Sequence, residues 1–294
     1  VVCLIAGGHL LIEDLPGVGK TTLSHALAMS LGLKFTRVQF TSDLLPADIT
    51  GISVFNRERQ QFEFHPGPVF SQVLLADEIN RAGPRTQSAL LEAMQEKKVT
   101  IAGRTETLQR PFTVMATQNP IETEGTYPLP EAQVDRFLMK VLVDYPTATE
   151  EFVIVERMTR SLEVTQQVIS SEQLVALQAA ADEVYVDPSL MEYAVKLVRA
   201  TREPEAVGRG EVARWIEFGA SPRASINLVL AGRALALVRG REYALASDLR
   251  DVAHGYLNYQ IEHHVMPDLP MSAYPRVQAE LETLCAKHGV AYAH

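Results

Sequence analysis

Short apolar runs alternate with helix-period stretches through the first half of the chain. The predicted strands are Leu10–Glu13, Thr36–Thr41, Val73–Asp77, Phe112–Thr117 and Leu138–Val143. Three of them carry consecutive Val, Leu or Met, the pattern of strands buried on both faces. Between them, Lys20–Leu31 and Arg85–Glu96 place apolar residues at helical spacing. Alternation of this kind predicts an α/β fold, a parallel five-stranded sheet flanked by helices, with ligands at the carboxyl ends of the strands. Two inserts interrupt it. Residues 52–64 and 99–108 each read as a pair of short strands, around Asn56-Arg57-Glu58-Arg59-Gln60 and around Ala102-Gly103-Arg104. Pattern alone leaves open whether these hairpins decorate the surface or do work.

After Tyr145-Pro146 the period changes. Helices are predicted at Glu150–Thr159, Ser171–Val184, Pro188–Thr201, Pro222–Arg239 and Ala246–Gln260, with a last one near Tyr274–His288. Ser171-Glu172 and Ser247-Asp248 carry the residue types that start helices. Thr201–Glu211, polar and glycine-bearing, reads as a loop. The predicted division is an α/β core over 1–146 and an all-helical domain over 147–294.

Composition narrows the classes. The 294 residues are 47% hydrophobic and 21% charged, as in ordinary globular proteins. No run of 18 apolar residues offers a membrane span, and no basic leader precedes the first apolar run. The first residue is not Met and residue 4 already lies in an apolar run, so the N-terminus is expected to be trimmed. Cys3 and Cys285 are the two cysteines, which supports neither a disulfide framework nor a cysteine metal site and fits a reducing cytoplasm. The eight histidines show no metal spacing, and His263 and His264 point apart on a predicted helix. A net charge of −9 argues against broad binding to nucleic acid or anionic lipid, while allowing a local basic groove.

The chemistry concentrates at strand ends. Ile12–Thr22 reads Ile-Glu-Asp-Leu-Pro-Gly-Val-Gly-Lys-Thr-Thr, a strand, a glycine turn and a helix start. This is the order of a phosphate-binding loop. Gly17 and Gly19 let backbone N–H groups converge, Lys20 would reach the β- and γ-phosphates, and Thr21 would place a hydroxyl on Mg²⁺. Asp14 stands where the pattern GxxxxGK[ST] has its first glycine. Val73–Asp77 runs directly into Glu78, putting two carboxylates at one strand end, one suited to support a metal and one to act on water. Phe112–Thr117 leads to Gln118-Asn119-Pro120; Asn119 can donate to a γ-phosphate or to water, and an Asn-Pro turn is the plain alternative. Arg136 precedes the last strand and could stabilise charge on a transferred phosphoryl group or pair with Asp135 or Glu131. Arg223 follows Pro222 at a helix start, placed to act on nucleotide or to remain solvated.

Five phrases together resemble the AAA+ ATPases, and more narrowly the MoxR type: residues 13–21 (EDLPGVGKT), 75–81 (LADEINR), 116–120 (ATQNP), 130–137 (PEAQVDRF) and 219–224 (GASPRA). The resemblance runs from about residue 4 to 270 in the family's order, leaving a C-terminal extension outside it. It implies an AAA+ P-loop core followed by a helical lid. Pro16, Gly17, Val18, Gly19, Lys20, Thr21 and Thr22 would form the nucleotide loop (Walker A), and Asp77 and Glu78 the Walker B pair, with Thr21 and Asp77 holding Mg²⁺. Asn119 would be sensor 1, Arg223 sensor 2, and Arg136 an arginine finger serving a neighbouring subunit, with Arg85 a weaker candidate in trans. The two hairpins resemble the helix-2 insert and the presensor-1 hairpin, which face a central pore in related rings. Adenine contacts lie in a segment ahead of residue 1 in such proteins.

The resemblance further implies ATP and ADP as ligands, a ring, usually a hexamer, and chaperone-like remodelling or maturation of client complexes. Metal or cofactor insertion is the expected task, beside a partner with a von Willebrand A domain. A nucleic-acid motor and a nucleotide-gated scaffold with little turnover are the alternatives. Because Lys20 is the only cation of the loop, Lys20→Ala is expected to weaken ATP binding severely; unchanged affinity in a nucleotide titration would remove the phosphate-loop assignment.

Overall fold

The computed structural model describes residues 1–14, 19–119, 125–143, 145–159, 165–216 and 218–253. Helix α1 (Val2–Ile5) leads to β1 (Leu10–Asp14), α2 (Lys20–Ser30) and β2 (Phe35–Gln39). Helix α3 (Pro46–Thr50) precedes a hairpin of β3 (Gly51–Asn56) and β4 (Gln61–Pro66). Then come β5 (Val73–Asp77), α4 (Pro84–Glu96), a second hairpin of β6 (Lys98–Ile101) and β7 (Arg104–Thr107), and β8 (Thr113–Gln118). A short α5 (Glu131–Val134) and β9 (Met139–Val143) complete this part. Helices α6 (Ala148–Met158), α7 (Ser171–Glu183), α8 (Pro188–Arg202) and α9 (Pro222–Val238) follow, with a further helical run at 246–253.

The five predicted strands form one parallel sheet in the order β2-β5-β8-β1-β9. Its pleat divides the core. On one face Leu11, Leu74, Ala76, Val114 and Ala116 pack with Ile79, Leu90, Leu91 and Met94. On the other, Ile12, Val73, Leu75 and Met115 pack with Ala28 of α2 and Leu174 of α7. Side chains alternate across a strand, so Val73 through Ala76 are fully buried only because both faces are covered. That is the physical content of the unbroken apolar run.

The helical part has its own cluster. Leu190, Ala194 and Val198 of α8 meet Leu228 and Ala231 of α9 and Leu249 and Val252 of the 246–253 run. Met139 and Cys3 join the same cluster, tying it to the sheet. Asp248, wholly buried, accepts from both Arg239 and Arg241 and from the N–H of Leu245. This fixes the start of the last helical run where Ser247-Asp248 predicted one.

Several local expectations shift. Thr201–Glu211 is not a plain loop: two 3₁₀ helices, Pro204–Val207 and Gly210–Trp215, occupy the region. Pro204 seeds the first at its leading position, which the glycine count obscured. The apolar run before β1 is a helical turn, in which Ile5 packs with Ala181 and Ala234 of the helices. Strand β2 lies earlier than read, starting at Phe35 and ending at Gln39. Both inserts are antiparallel hairpins. The first is locked at its root: a Cβ on Gly51 would sit 2.4 Å from the His65 carbonyl oxygen. The predicted helix near Tyr274–His288, His263-His264 and Cys285 lie outside the described residues.

His9, immediately before β1, is a buried neutral imidazole. Its Nδ1 accepts from the N–H of Val114 at 3.0 Å, so Nε2 carries the proton and donates to the Met94 carbonyl at 3.1 Å. Burial, with Lys97 adding to it, pulls its pKa down to about 3. The unfolded chain therefore binds more protons between that value and the ordinary 6.5, and stability falls as pH falls through this window. About 2 kcal/mol is lost between pH 7 and pH 5 from this group. Thermal unfolding at the two pH values checks it: the midpoint drops by several degrees, and His9→Asn, though less stable, loses that part of the slope.

Candidate active site

The carboxyl ends of β1, β2, β5 and β8 share one edge of the sheet, and the polar residues of the sequence phrases gather there. Leu15, Pro16, Gly17 and Val18 lie outside the described residues. Gly19 is the N-cap of α2 in the left-handed region (φ 87°), where any other residue would be strained. Lys20, the first residue of α2, brings Nζ to 3.8 Å from Asp77 Oδ1. Thr21 is partly buried in the same turn and Thr22 is exposed.

Asp77 ends β5 almost fully buried. Its Oδ1 accepts from the Thr117 hydroxyl at 2.7 Å, and its Oδ2 accepts from Arg37, at 2.6 Å from Nη2 and 3.1 Å from Nε. Thr117, on the neighbouring β8, also accepts from the Glu78 N–H at 2.8 Å. One buried hydroxyl thus fixes the Asp77 side chain and the Glu78 backbone together. Glu78 itself is left-handed (φ 56°, ψ 52°), a conformation costing a non-glycine residue about 1 kcal/mol or more. The turn aims its carboxylate away from the strand axis, where Oε2 accepts from Gln39 at 2.7 Å and Arg81 at 3.0 Å.

Arg37 and Gln39 stand two apart on β2, so they project from the same face, and Arg37 donates to Gln39 at 3.1 Å. They hold both carboxylates from one side. Asn119 is buried just past β8, and its carbonyl accepts from Asn80 at 3.3 Å. Asn80 Oδ1 is buried without a hydrogen-bond partner. Gln87, buried in α4, donates to the carbonyls of Ile79 and Tyr127 and so braces the chain on either side of Asn80.

Lys20, Asp77, Glu78 and Asn119 are therefore brought together; Arg136 is not. Arg136 lies two residues before Leu138, whose N–H donates to the His9 carbonyl at the amino end of β1. A five-residue strand separates that edge from the carboxyl edge by about 16 Å. The Arg136 Nε is buried without a hydrogen-bond partner, and no ion pair to Asp135 or Glu131 forms among the described residues. Arg223 is exposed in the first turn of α9. Asn227, one turn later on the same helix face, donates to the Phe137 carbonyl, so Arg223 faces the Arg136 segment. Arg85 is exposed at the start of α4.

Sequence reasoning missed Thr117, Arg37, Gln39 and Asn80. Arg37 and Gln39 were detectable as polar residues at strand spacing, alternating with Val38 and Phe40. Thr117 sat within a quoted phrase, but only the register of β8 against β5 gives it two partners.

Comparison with known proteins agrees with this architecture. Residues 9–139 match the ATPase family associated with various cellular activities (AAA), and residues 209–271 match the AAA lid domain. The chain is an AAA+ ATPase, an enzyme that hydrolyses ATP. It is 48% identical over 261 residues to Chaperone MoxR1 of Mycobacterium tuberculosis, covering 89% of this chain and 69% of that protein. A crystal structure of a putative ATPase from Cytophaga hutchinsonii superposes with a TM-score of 0.82 at 41% identity, covering 97% of this chain and 86% of that one. The chain belongs to the MoxR-type AAA+ ATPases. A separate likeness is short: 38 residues, 13% of the chain, are 53% identical to fatty acid desaturase 3 of Homo sapiens, covering 8% of that protein. It defines no family for this chain.

Thr117→Val keeps the side-chain volume and deletes the hydroxyl that joins Asp77 to Glu78. Leaving a buried carboxylate oxygen short of a donor costs roughly 1–3 kcal/mol, so ATP turnover is expected to fall about ten-fold or more. Nucleotide affinity stays near wild type and Thr117→Ser restores turnover; steady-state hydrolysis beside a binding titration measures both.

Proposed function

We propose that the chain is one subunit of a ring, usually a hexamer, that couples Mg²⁺-dependent ATP hydrolysis to remodelling or maturation of client protein complexes. The observation that carries this reading is the separation of Arg136 from Lys20, Asp77 and Glu78 by the length of the sheet. A subunit holds the residues for phosphate, metal and water at one edge and Arg136 near the other. A neighbour whose Arg136 faces that edge would complete the site.

The donor set fits a magnesium nucleotide. Lys20 Nζ lies 3.8 Å from Asp77 Oδ1, and the first N–H groups of α2, with Thr21 in the same turn, open beside it. The metal, when bound, would neutralise phosphate charge as phosphoryl transfer proceeds. Thr21 and Asp77 would hold it, Lys20 would neutralise phosphate oxygens, and Glu78 would orient and deprotonate water. Asn119 would donate to the γ-phosphate or that water. Pro16, Gly17 and Val18 would supply the rest of the phosphate cradle. Arg136 of one subunit would stabilise charge in the site of the next, and Arg223, as sensor 2, would bring the helical domain onto the nucleotide.

The client-handling part rests on the hairpins. The first hairpin exposes Ile52, Val54, Phe55 and Phe62, the last 58% accessible, with Phe55 and Phe62 edge-to-face. An apolar, aromatic hairpin suits polypeptide better than phosphate backbone, which favours a protein client over a nucleic-acid motor. A von Willebrand A domain partner, cofactor insertion as the task, and a cytoplasmic setting, with the free Cys3 thiol buried, complete the proposal.

Mixing experiments test the ring. Arg136→Ala keeps the catalytic edge and Glu78→Gln keeps the arginines, so each alone is expected to be nearly inactive. Mixed in equal amounts they regain part of the activity, in step with assembly followed by light scattering. Activity no greater than the sum of the separate variants returns Arg136 to a role within its own subunit.

A further inference from the structure

Apart from the catalytic edge, a half-open cavity of about 250 Å³ lies between the root of the β6–β7 hairpin, α1 and α7. Its construction is asymmetric in charge. Lys97 and Arg110 both line it, and the one carboxylate in its wall is Asp182. No carboxylate forms an ion pair with Lys97 or Arg110 among the described residues. The remaining wall is largely apolar, with Ile5, Leu108, Phe112 and Val175.

Lys97 is placed there by the backbone. It terminates α4 in the left-handed region (φ 56°), and its Nζ reaches only the Gly7 carbonyl, at 3.4 Å. Its carbonyl accepts from the N–H of Leu108, which closes the hairpin root and brings Arg110 to the same wall. Burial and then the nearby Arg110 charge depress the Lys97 pKa. A half-buried ammonium beside an exposed guanidinium, with the exposed Asp182 as the one carboxylate in the wall, leaves the cavity net positive, and an anion would offset that charge. The opposite wall belongs to α7, where Gln178 donates to the Leu4 carbonyl and holds α7 against α1.

We propose that this cavity is a binding site for a small organic anion, a carboxylate or phosphate head with a short apolar body. The head lies between Lys97 and Arg110, and the body packs on Leu108, Phe112 and Val175. Its occupant bridges the hairpin root to α7, joining a hairpin of the α/β part to the helical part. The site makes no use of the nucleotide-binding edge, so it stands or falls apart from the ring mechanism.

The test uses the whole chain, with hexyl phosphate and hexanoate as probes and hexanol as the uncharged control, titrated calorimetrically. The expected result is that at least one anion binds and hexanol does not, and that binding persists in Lys20→Ala. Removing a charge-assisted contact by Lys97→Met or Arg110→Met weakens binding about ten-fold or more, whereas Asp182→Asn strengthens it. Asp182 is exposed, so its variant reports even where Lys97→Met fails to fold. Failure of both anions to bind, equal binding of hexanol, loss of binding in Lys20→Ala, or an affinity indifferent to Arg110→Met and Asp182→Asn overturns the proposal.

Discussion

Five strands running the same way impose the geometry on which everything else depends. In a parallel sheet every carboxyl end lies at one edge, so residues separated by up to about a hundred positions in sequence meet there without any long-range search. Lys20 follows β1, Gln39 ends β2, Asp77 ends β5 and Thr117 lies at the end of β8. The order β2-β5-β8-β1-β9 sets β5 beside β8, which turns Thr117 into the shared support of Asp77 and Glu78. The same parallel arrangement sends the residues before β9 to the other edge. Arg136 is therefore distant from the carboxylates of its own subunit for a topological reason.

Charge balance follows from that convergence. Two carboxylates crowded at one strand end repel each other unless donors surround them. Here Lys20, Arg37 and Thr117 face Asp77 while Gln39 and Arg81 face Glu78. Arg37 and Arg81 are half-exposed while the carboxylates they pair with are largely buried, so these donors can leave only where an incoming polyphosphate and cation take their place. The buried Thr117 hydroxyl, by contrast, has no such freedom. A site built this way keeps its frame rigid and its charges mobile, which suits repeated binding and release.

The helical half is held to the sheet by several specific features: Met139 and Cys3 entering its cluster, Leu174 of α7 packed against one sheet face, the Gln178 amide on the Leu4 carbonyl, and the Asn227 amide on the Phe137 carbonyl. Helix α6, which opens the helical half, has no buried residue and leaves Phe152 69% exposed.

The elements themselves were legible in the sequence because their signals are local. Continuous Val-Leu-Leu-Ala reads as a doubly covered strand, and Pro222 after Ser221 reads as a helix start, since both depend on neighbours in the chain. Glycine, lysine and threonine after a strand, and two carboxylates after another, likewise announce phosphate chemistry by spacing. The partners of Thr117, Arg37 and Gln39, and the cation-lined cavity were not legible. Each arises from registers and packing between segments far apart in the chain. The placement of the arginines belongs to the same class: their residue types suggest a role, but which edge of the sheet they occupy is decided by strand direction. The sequence by itself determined the kind of chemistry and the order of elements, because both are written in short-range pattern. Tertiary structure alone decided which groups share an edge and which stand apart from it, because adjacency across a sheet is set by strand order and register, and neither is encoded in any one stretch.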